Sequence, residues 1–202
     1  FNSEKSNVKT QAFDFNSAKE IPDDILQKSS VDMVVTSPPY GDSRTTVAYG
    51  QFSRWSNEWF GFPNAKNIDN TLMGGVRQKS ANFITKTIQK ELNAIKQLDE
   101  KRYFDVISFL NDYHDSIRNV ASVVRVGGRI CYVVGNRTVK SVQIPLDYFT
   151  AEMFERYGFE HEQTIVRNIP NKRMPSKTSP TNKPWAKVST MSNEYIVIMT
   201  KK

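Results

Sequence analysis

A short apolar segment that ends at two consecutive prolines constrains the fold of this chain more than any other feature. Residues 31–36 read Val-Asp-Met-Val-Val-Thr, and Pro38 and Pro39 follow after a single serine. Proline has no backbone N–H to donate to a neighbouring strand. The segment therefore predicts a buried strand that stops at this point.

Other segments alternate along the chain between helix and strand patterns. Apolar residues three and four positions apart predict helices at 83–98 and 103–124, and further helices are predicted at 21–26 and 145–157. Apolar runs predict strands at 8–14, 129–134, 161–169 and 194–200. Gly127 and Gly128 are predicted to end the second long helix. This order predicts an α/β fold with helices on both faces of the sheet, in which ligands bind beyond the carboxyl ends of the strands.

The composition excludes several classes of protein. The chain has 202 residues, of which 38% are hydrophobic, enough for one packed domain. One cysteine and two histidines cannot form a disulfide framework or a four-ligand zinc site, and no apolar run reaches the length of a membrane span. We therefore expect a cytoplasmic protein without a structural metal. Its net charge of +7 and its pI of about 9.4 suit either surface solubility or a polyanionic partner such as nucleic acid, and the charge alone does not separate the two.

The four residues after the predicted strand combine hydrogen-bond acceptors with an aromatic face. The Ser37 hydroxyl and the Pro38 carbonyl can accept, Pro39 adds no donor, and Tyr40 offers a flat ring. An aromatic amino group is a poor nucleophile because its lone pair is delocalised, and acceptors beside its N–H bonds stabilise the charge that develops on attack. A tyrosine ring can stack on a base extruded from a duplex. The segment thus has the groups that direct methyl transfer to a base nitrogen requires.

This segment, with the strand before it and Gly41 after it, resembles the catalytic motif of DNA methyltransferases that methylate exocyclic amino groups. That family carries Asp, Asn or Ser before Pro-Pro-Tyr or Pro-Pro-Phe; the Ser form is associated with cytosine N4, and Asp is commoner for adenine N6. The resemblance extends from about residue 8 to residue 200. It implies a Rossmann-like methyltransferase sheet, S-adenosylmethionine as cofactor and double-stranded DNA as substrate, and it is compatible with a restriction-modification system. It also implies catalytic roles for Ser37, Pro38, Pro39 and Tyr40.

The resemblance also implies where the cofactor binds. Asp14 and Phe15 resemble the segment beside the cofactor's adenine, where Asp14 would accept from the adenine amino group and Phe15 would pack nearby. An ordinary turn is the alternative for Asp14. Thr36, next to the catalytic segment, is assigned to the same site. Asn136 follows the next predicted strand and either lines the site or forms a turn.

One part of the family pattern is missing from this chain. The glycine-rich cofactor loop, of the Phe-x-Gly-x-Gly kind, has no counterpart, and Gly74 and Gly75 follow no predicted strand. Residues 1–202 are therefore interpreted as the catalytic part of a methyltransferase domain. The loop is expected either before Phe1 or in a second polypeptide, and this chain alone is expected to bind the cofactor weakly or not at all.

Two basic segments are predicted to contact DNA. The first lies in the 41–103 insert, where Arg44 and Arg54 alternate with aromatic residues, a mixture suited to phosphate contacts and stacking. Trp55 and Trp59 are expected to pack within the insert.

The second basic segment, residues 167–187, contains six basic residues and no acidic one. It joins two predicted strands beside the site and suits contact with the DNA backbone, which is salt-sensitive and independent of sequence. The residues assigned to that contact are Arg167, Lys172, Arg173 and Lys177.

Several alternatives stay open at this point. Methylation of adenine N6, methylation of an RNA base, and an inactive nucleic-acid-binding subunit all fit parts of the pattern, the last because the glycine-rich loop is absent. Methylation of cytosine C5 requires a thiolate nucleophile, which the enzymes of that family carry in a Pro-Cys turn. Cys131 has no preceding proline and is expected in the core.

Overall fold

The computed structural model describes residues 9–44, 49–169, 177–178, 188–189 and 193–202. Its centre is a mixed four-stranded sheet in the order β1 (Val31–Thr36), β2 (Val124–Val134), β8 (Asn193–Lys201) and β5 (Phe159–Asn168). β1 is parallel to β2, and the other two pairings are antiparallel. Two-stranded ladders are formed by β3 (Thr138–Val139) with β4 (Val142–Gln143) and by β6 (Lys177–Thr178) with β7 (Val188–Ser189).

Four α-helices are described. They are α1 (Tyr49–Trp59), α2 (Gln89–Leu98), α3 (Glu100–Val123) and α4 (Leu146–Glu155), and a 3-10 helix (Ala65–Asn70) follows α1. Asp99 caps α3, because its side chain accepts from the backbone N–H of Arg102 at 3.0 Å. Pro145 precedes the first residue of α4, where a missing N–H costs the helix nothing.

The core lies on one face of the sheet. Alternate residues of β2 and β8, such as Tyr132 and Val197, are buried there, while the residues between them, such as Cys131 and Ile198, are only partly buried. Helix α4 covers this face, and the ring of its Phe154 meets Tyr132 edge-on with 4.9 Å between ring centroids. The single cysteine is therefore half-buried in a strand and does not belong to the fully buried core that the sequence predicted.

The alternating order of helices and strands confirms the predicted α/β fold. The strand predicted at 31–36 is present with those bounds, and the strands and helices predicted from residue 83 onward are present with shifted ends. Helix α1 lies within the insert, at residues for which the sequence predicted no helix.

Three local predictions are wrong. Residues 9–14 form no strand and are exposed, because no described strand lies alongside to complete their hydrogen bonds. Residues 21–26 form only a turn, closed by two bonds to the Pro22 carbonyl. Helix α3 ends at Val123, so Gly127 and Gly128 lie inside β2. There a Cβ on Gly128 would lie 3.0 Å from the carbonyl oxygen of Val31, so glycine permits close approach of β1 at an irregularity in its register.

Among the residues whose structure is described, no helix is long and apolar enough to cross a membrane. In the same ranges, no three or more His, Cys, Asp or Glu side chains converge as a metal site would require.

Candidate active site

The segment from Ser37 to Tyr40 forms the turn beyond the carboxyl end of β1. The Ser37 side chain is exposed, and Pro38, Pro39 and Tyr40 are half-buried. The Ser37 Oγ atom lies 3.0 Å from the Tyr40 hydroxyl oxygen. This turn therefore presents a hydroxyl to solvent while its tyrosine is held at the protein surface.

The Tyr40 hydroxyl is held by a residue far away in the sequence. It donates to Oε1 of Glu194 at 3.0 Å across a separation of 154 positions. Glu194 stands near the start of β8, and because β8 runs antiparallel to β2, its start lies at the edge of the sheet where β1 and β2 end. Sheet topology thus brings Tyr40 and Glu194 together.

Arg167, the partner of Glu194 across β5 and β8, completes this group. Its Nε donates to Oε2 of Glu194 at 3.0 Å, and its Nη2 donates to the same oxygen. The hydrogen bond from Arg167 lowers the pKa of Glu194. Burial raises the pKa of Tyr40, and the carboxylate of Glu194 raises it further, against an opposing effect of Ser37. At neutral pH the phenol is therefore protonated and the carboxyl group is ionised.

A buried ion pair anchors the chain just after Tyr40. Nη1 of Arg137 lies 3.0 Å from Oδ2 of Asp42, and the two side chains are 11% and 1% exposed. The Arg137 guanidinium also lies over the ring of Phe109, 5.7 Å from its centroid. Since Arg137 follows the end of β2, this pair ties the turn after β1 to the end of its parallel neighbour.

A cavity of about 590 Å³ lies beside the Ser37–Tyr40 turn. Small-molecule sites span roughly 300–1,000 Å³, so it is large enough for a cofactor-sized ligand. Thr36, Ser37, Pro38 and Pro39 line one side, and Phe15 lines another. The rest of the lining comes mainly from apolar side chains of β1, α3 and the segment before β1.

The predicted cofactor residues are only partly brought together. Phe15 and Thr36 line the same cavity, whereas Asp14 is exposed and does not line it. The segment that carries Phe15 is attached to α3, since Ser17 Oγ lies 2.9 Å from Ser116 Oγ and Asn119 donates to the Ser17 carbonyl.

The basic residues predicted to contact DNA differ in their exposure and in their hydrogen-bond partners. Arg44 and Arg54 are exposed, and Arg54 donates to the Lys66 carbonyl at 3.3 Å. Arg167 is engaged with Glu194, although 60% of its side chain stays exposed. Lys172 and Arg173 lie outside the described residues, and of Lys177 only the backbone, in β6, is described.

The two tryptophans of α1 correct a sequence prediction. Trp55 and Trp59 are 80% and 88% exposed, so they do not pack within the insert. Phe52, one turn before Trp55 on the same helix face, is 85% exposed. Helix α1 contacts the following 3-10 helix through its other side, so these rings face solvent.

Asn136 and the glycine pair in the insert have structural roles. The Asn136 amide donates to Asp147 Oδ1 at 2.8 Å and accepts from the Asp147 backbone N–H, which fixes the start of α4. A Cβ on Gly74 would lie 2.7 Å from the Asp42 Cβ, and one on Gly75 would lie 2.3 Å from the Asp69 carbonyl oxygen. These glycines allow close packing against Asp42 and Asp69, near the Ser37–Tyr40 turn.

Sequence reasoning missed Glu194, Asp42 and Arg137. A signal existed for each: Asp42 follows Tyr40 by two residues, Arg137 follows a strand end, and Glu194 is a charge at the start of an apolar strand. Their pairing could not be read from spacing, because it depends on the order of strands in the sheet.

Comparison with known proteins adds a sequence relationship. No protein-family model matches the chain. Over 182 residues it is 42% identical to the type II methyltransferase M.MvaI of Kocuria varians. This chain is similar in sequence to a type II methyltransferase. The match covers 83% of this chain and 40% of the relative, so the chain spans about two fifths of that relative's length.

Solved structures of a protein from Thermus thermophilus, provisionally assigned as a DNA modification methylase, overlap the fold in part. One is 16% identical, with 93% of this chain and 52% of that chain covered and a TM-score of 0.44. Its complex with S-adenosyl-L-methionine is 18% identical, with 86% and 46% covered and a TM-score of 0.41. A likeness of this extent does not bear on function.

Proposed function

We propose that this chain is the catalytic part of a DNA methyltransferase that transfers a methyl group from S-adenosylmethionine to an exocyclic amino group of a base. The observation that carries the proposal is the Ser37–Tyr40 turn, with its exposed hydroxyl, at the end of a parallel strand beside a cofactor-sized cavity. Similarity to a type II methyltransferase over most of the chain supports it.

The cavity fits one half of the proposed cofactor. Its lining combines apolar side chains with the hydroxyls of Ser17, Thr36, Ser37 and Ser116, and Phe15 offers a ring for an adenine. None of the described residues that line it is charged, whereas the methionine end of the cofactor carries an ammonium and a carboxylate. We therefore assign Phe15 and Thr36 to the nucleoside half. Asp14, next to Phe15 but outside the cavity lining, is kept as the proposed partner of the adenine amino group on the family resemblance alone. The groups that hold the methionine end belong to another part of the enzyme or to a second polypeptide.

The turn residues carry the chemistry of the proposed reaction. The cofactor, when bound, supplies an electrophilic methyl group. The Ser37 hydroxyl and the Pro38 carbonyl accept from the two N–H bonds of the target amino group, which favours the pyramidal geometry of the attacking nitrogen. Pro39 adds no competing donor, and the Tyr40 ring stacks on the extruded base. The turn aligns the nucleophile and requires no covalent intermediate with the protein.

We propose cytosine N4 as the target because serine stands where the adenine enzymes of the resembled family more often have aspartate. Adenine N6 is the second candidate, since the same acceptors serve either amino group. A role in a restriction-modification system is consistent with the type II name of the relative.

DNA contacts are proposed around this turn. Arg44 and Arg54 are exposed beyond it, and α1 presents Phe52, Trp55 and Trp59 to solvent, a combination that suits phosphate contact and stacking. Arg167 near the end of β5 and three residues after that strand, Lys172, Arg173 and Lys177, are proposed to contact the DNA backbone.

The proposal is tested by product analysis. The complete gene product is incubated with methyl-labelled S-adenosylmethionine and duplex DNA, and the labelled nucleoside is identified by mass spectrometry. N4-methylcytosine is the expected product. N6-methyladenine would overturn the choice of base, and a label found only in RNA substrates would overturn the choice of nucleic acid. Absence of any transfer and of cofactor binding would favour a nucleic-acid-binding subunit.

A further inference from the structure

Ser37, Tyr40 and Glu194 form a hydrogen-bond chain that ends at an ion pair. Ser37 Oγ lies 3.0 Å from the Tyr40 hydroxyl oxygen, which lies 3.0 Å from Oε1 of Glu194. Arg167 occupies the other carboxylate oxygen, Oε2, through Nε and Nη2. Only 14% of the Glu194 side chain is exposed, so both of its oxygens are directed to these partners.

The donor-to-acceptor direction of this hydrogen-bond chain follows from the number of protons that each of its groups carries. An ionised carboxylate only accepts hydrogen bonds, so the Tyr40 hydroxyl must donate its single proton to Glu194. Tyr40 can then only accept from Ser37, and Ser37 must donate its own proton to Tyr40. The Ser37 oxygen keeps both of its lone pairs for a third group.

We propose that Glu194 is a positioning residue that acts through the Tyr40 hydroxyl to leave Ser37 as a hydrogen-bond acceptor toward the substrate. This inference rests on the proposed function and deepens it. With the Pro38 carbonyl, which also only accepts, the turn presents two acceptors to the two N–H bonds of an amino group. A keto oxygen in the position of the amino group would face only lone pairs and no donor. The hydrogen-bond chain therefore favours bases that carry an amino group over bases that carry a keto group.

The variant Glu194→Gln is expected to reverse the chain. Arg167 donates only, so the single oxygen of the glutamine amide turns toward Arg167 and the amide NH₂ group faces Tyr40. Tyr40 then accepts from the amide and donates to Ser37. Ser37 in turn directs its proton at the amino group of the substrate, which is a clash between donors.

Rescue by a second substitution tests this reversal. In the complete gene product, Glu194→Gln is expected to lower kcat by roughly 10- to 100-fold with KM for DNA nearly unchanged, because the lost interaction acts on the developing charge. Tyr40→Phe removes the hydroxyl that joins Glu194 to Ser37 and frees the Ser37 hydroxyl to rotate. The fall in kcat in this variant is therefore expected to be smaller than in Glu194→Gln. The double variant is expected to recover to the level of Tyr40→Phe alone.

Glu162→Gln is the matched control. Glu162, like Glu194, is a sheet carboxylate paired with an arginine: it lies in β5, and Arg129 Nη2 lies 3.4 Å from its Oε1. It lies toward the opposite end of the strands from Glu194. Its kcat is expected to match that of the unaltered enzyme. A double variant slower than both single variants, or a Glu194→Gln enzyme with unchanged kcat, would overturn the inference.

A second measurement separates this inference from the proposed function. The pKa of the Tyr40 phenol is followed by NMR of ¹³Cζ-labelled tyrosine, assigned by Tyr40→Phe. The pKa is expected to fall in Glu194→Gln and to stay constant in Glu162→Gln, because the carboxylate of Glu194 raises it. An enzyme that methylates amino groups but shows no such fall contradicts the inference. An enzyme that shows the fall but transfers no methyl group contradicts the proposed function and leaves the hydrogen-bond chain standing.

Discussion

Arg137 and Asp42 join the ends of two parallel strands through a buried ion pair, with 3.0 Å between Nη1 and Oδ2. Asp42 lies two residues after Tyr40, and Arg137 lies three residues after β2. Burial lowers the pKa of Arg137 and the charge of Asp42 opposes that effect, so each charge compensates the desolvation of the other. The turn from Ser37 to Tyr40 is thereby held against the sheet.

Breaking this pair is expected to destabilise the protein strongly. Asp42→Asn removes the carboxylate charge that lies 3.0 Å from the buried guanidinium of Arg137, and it is expected to lower the free energy of unfolding by about 3 kcal/mol. Urea unfolding measures the change. The control is Asp32→Asn, which breaks the Arg125 pair of a carboxylate that is 78% exposed and is expected to cost less than about 1 kcal/mol. Equal losses in the two variants would show that the buried pair does not anchor the turn.

Gly74 is expected to tolerate no side chain. It has a φ of 72°, and a Cβ there would lie 2.7 Å from the Asp42 Cβ and 3.2 Å from the Phe109 Cα. Gly74→Ala is expected to lower the unfolding midpoint and to reduce methyl transfer by displacing Asp42. Gly61→Ala is the control, because its φ is 69° but no atom lies within 4 Å of the added Cβ. It carries the backbone strain without the collision, so the difference between the variants measures the collision.

Glu152 is expected to make the fold sensitive to acid. Burial alone would raise its pKa, but hydrogen bonds from the hydroxyls of Thr85 and Thr87 and from backbone N–H groups of Lys86 and Thr87 lower it to about 2. Because the pKa of Glu152 is lower in the folded protein than the ordinary value of 4.5, the ionised carboxylate stabilises the fold. This contribution is complete above pH 4.5 and is lost as the pH falls toward 2.

The measurement is urea unfolding of Glu152→Gln across this pH range. The variant is expected to be less stable than the unaltered protein at pH 7, by on the order of 2 kcal/mol, and the gap is expected to close below pH 4.5. Glu155→Gln, at an exposed position on the same helix, is the control and should leave the pH profile in place. A gap independent of pH would assign the loss to packing.

Tyr40→Ala is expected to abolish most methyl transfer while the fold survives. The substitution removes the ring proposed to stack on the base, worth about 1–3 kcal/mol, and the acceptor that orients Ser37. We expect kcat/KM to fall at least about 100-fold in the complete gene product. Tyr148→Ala removes a tyrosine that is 64% exposed on α4 and should retain activity. Unchanged turnover in Tyr40→Ala would remove Tyr40 from the mechanism.

Charge reversal in the segment after β5 is expected to weaken DNA binding. If Lys172 and Arg173 contact phosphates, replacing both by Glu flattens the dependence of the logarithm of affinity on that of salt concentration by about 2. Fluorescence anisotropy over a salt series measures the slope. Lys202→Glu is the control, because Lys202 pairs with Glu160 at the opposite end of the sheet. A slope equal to that of the unaltered protein would exclude these two residues as phosphate contacts.

Features that depend on neighbours along the chain were predictable from the sequence. The apolar run before Pro38 defined β1, apolar periodicity located α2 and α3, and the Ser-Pro-Pro-Tyr segment located the turn that follows β1. Each of these is set by backbone constraints and by burial of one face, which act over a few residues.

Only the tertiary structure determined which residues far apart in the sequence come into contact. It brought Glu194 into hydrogen-bond contact with Tyr40, 154 positions away, and Arg137 into an ion pair with Asp42, 95 positions away. The order and direction of the strands in the sheet determine which strand ends lie side by side. It also left Trp55 and Trp59 in solvent, since nothing in their local pattern specified whether a packing partner would lie above α1. Residues 9–14 stayed outside the sheet for the same kind of reason, because a strand requires a neighbour to receive its hydrogen bonds.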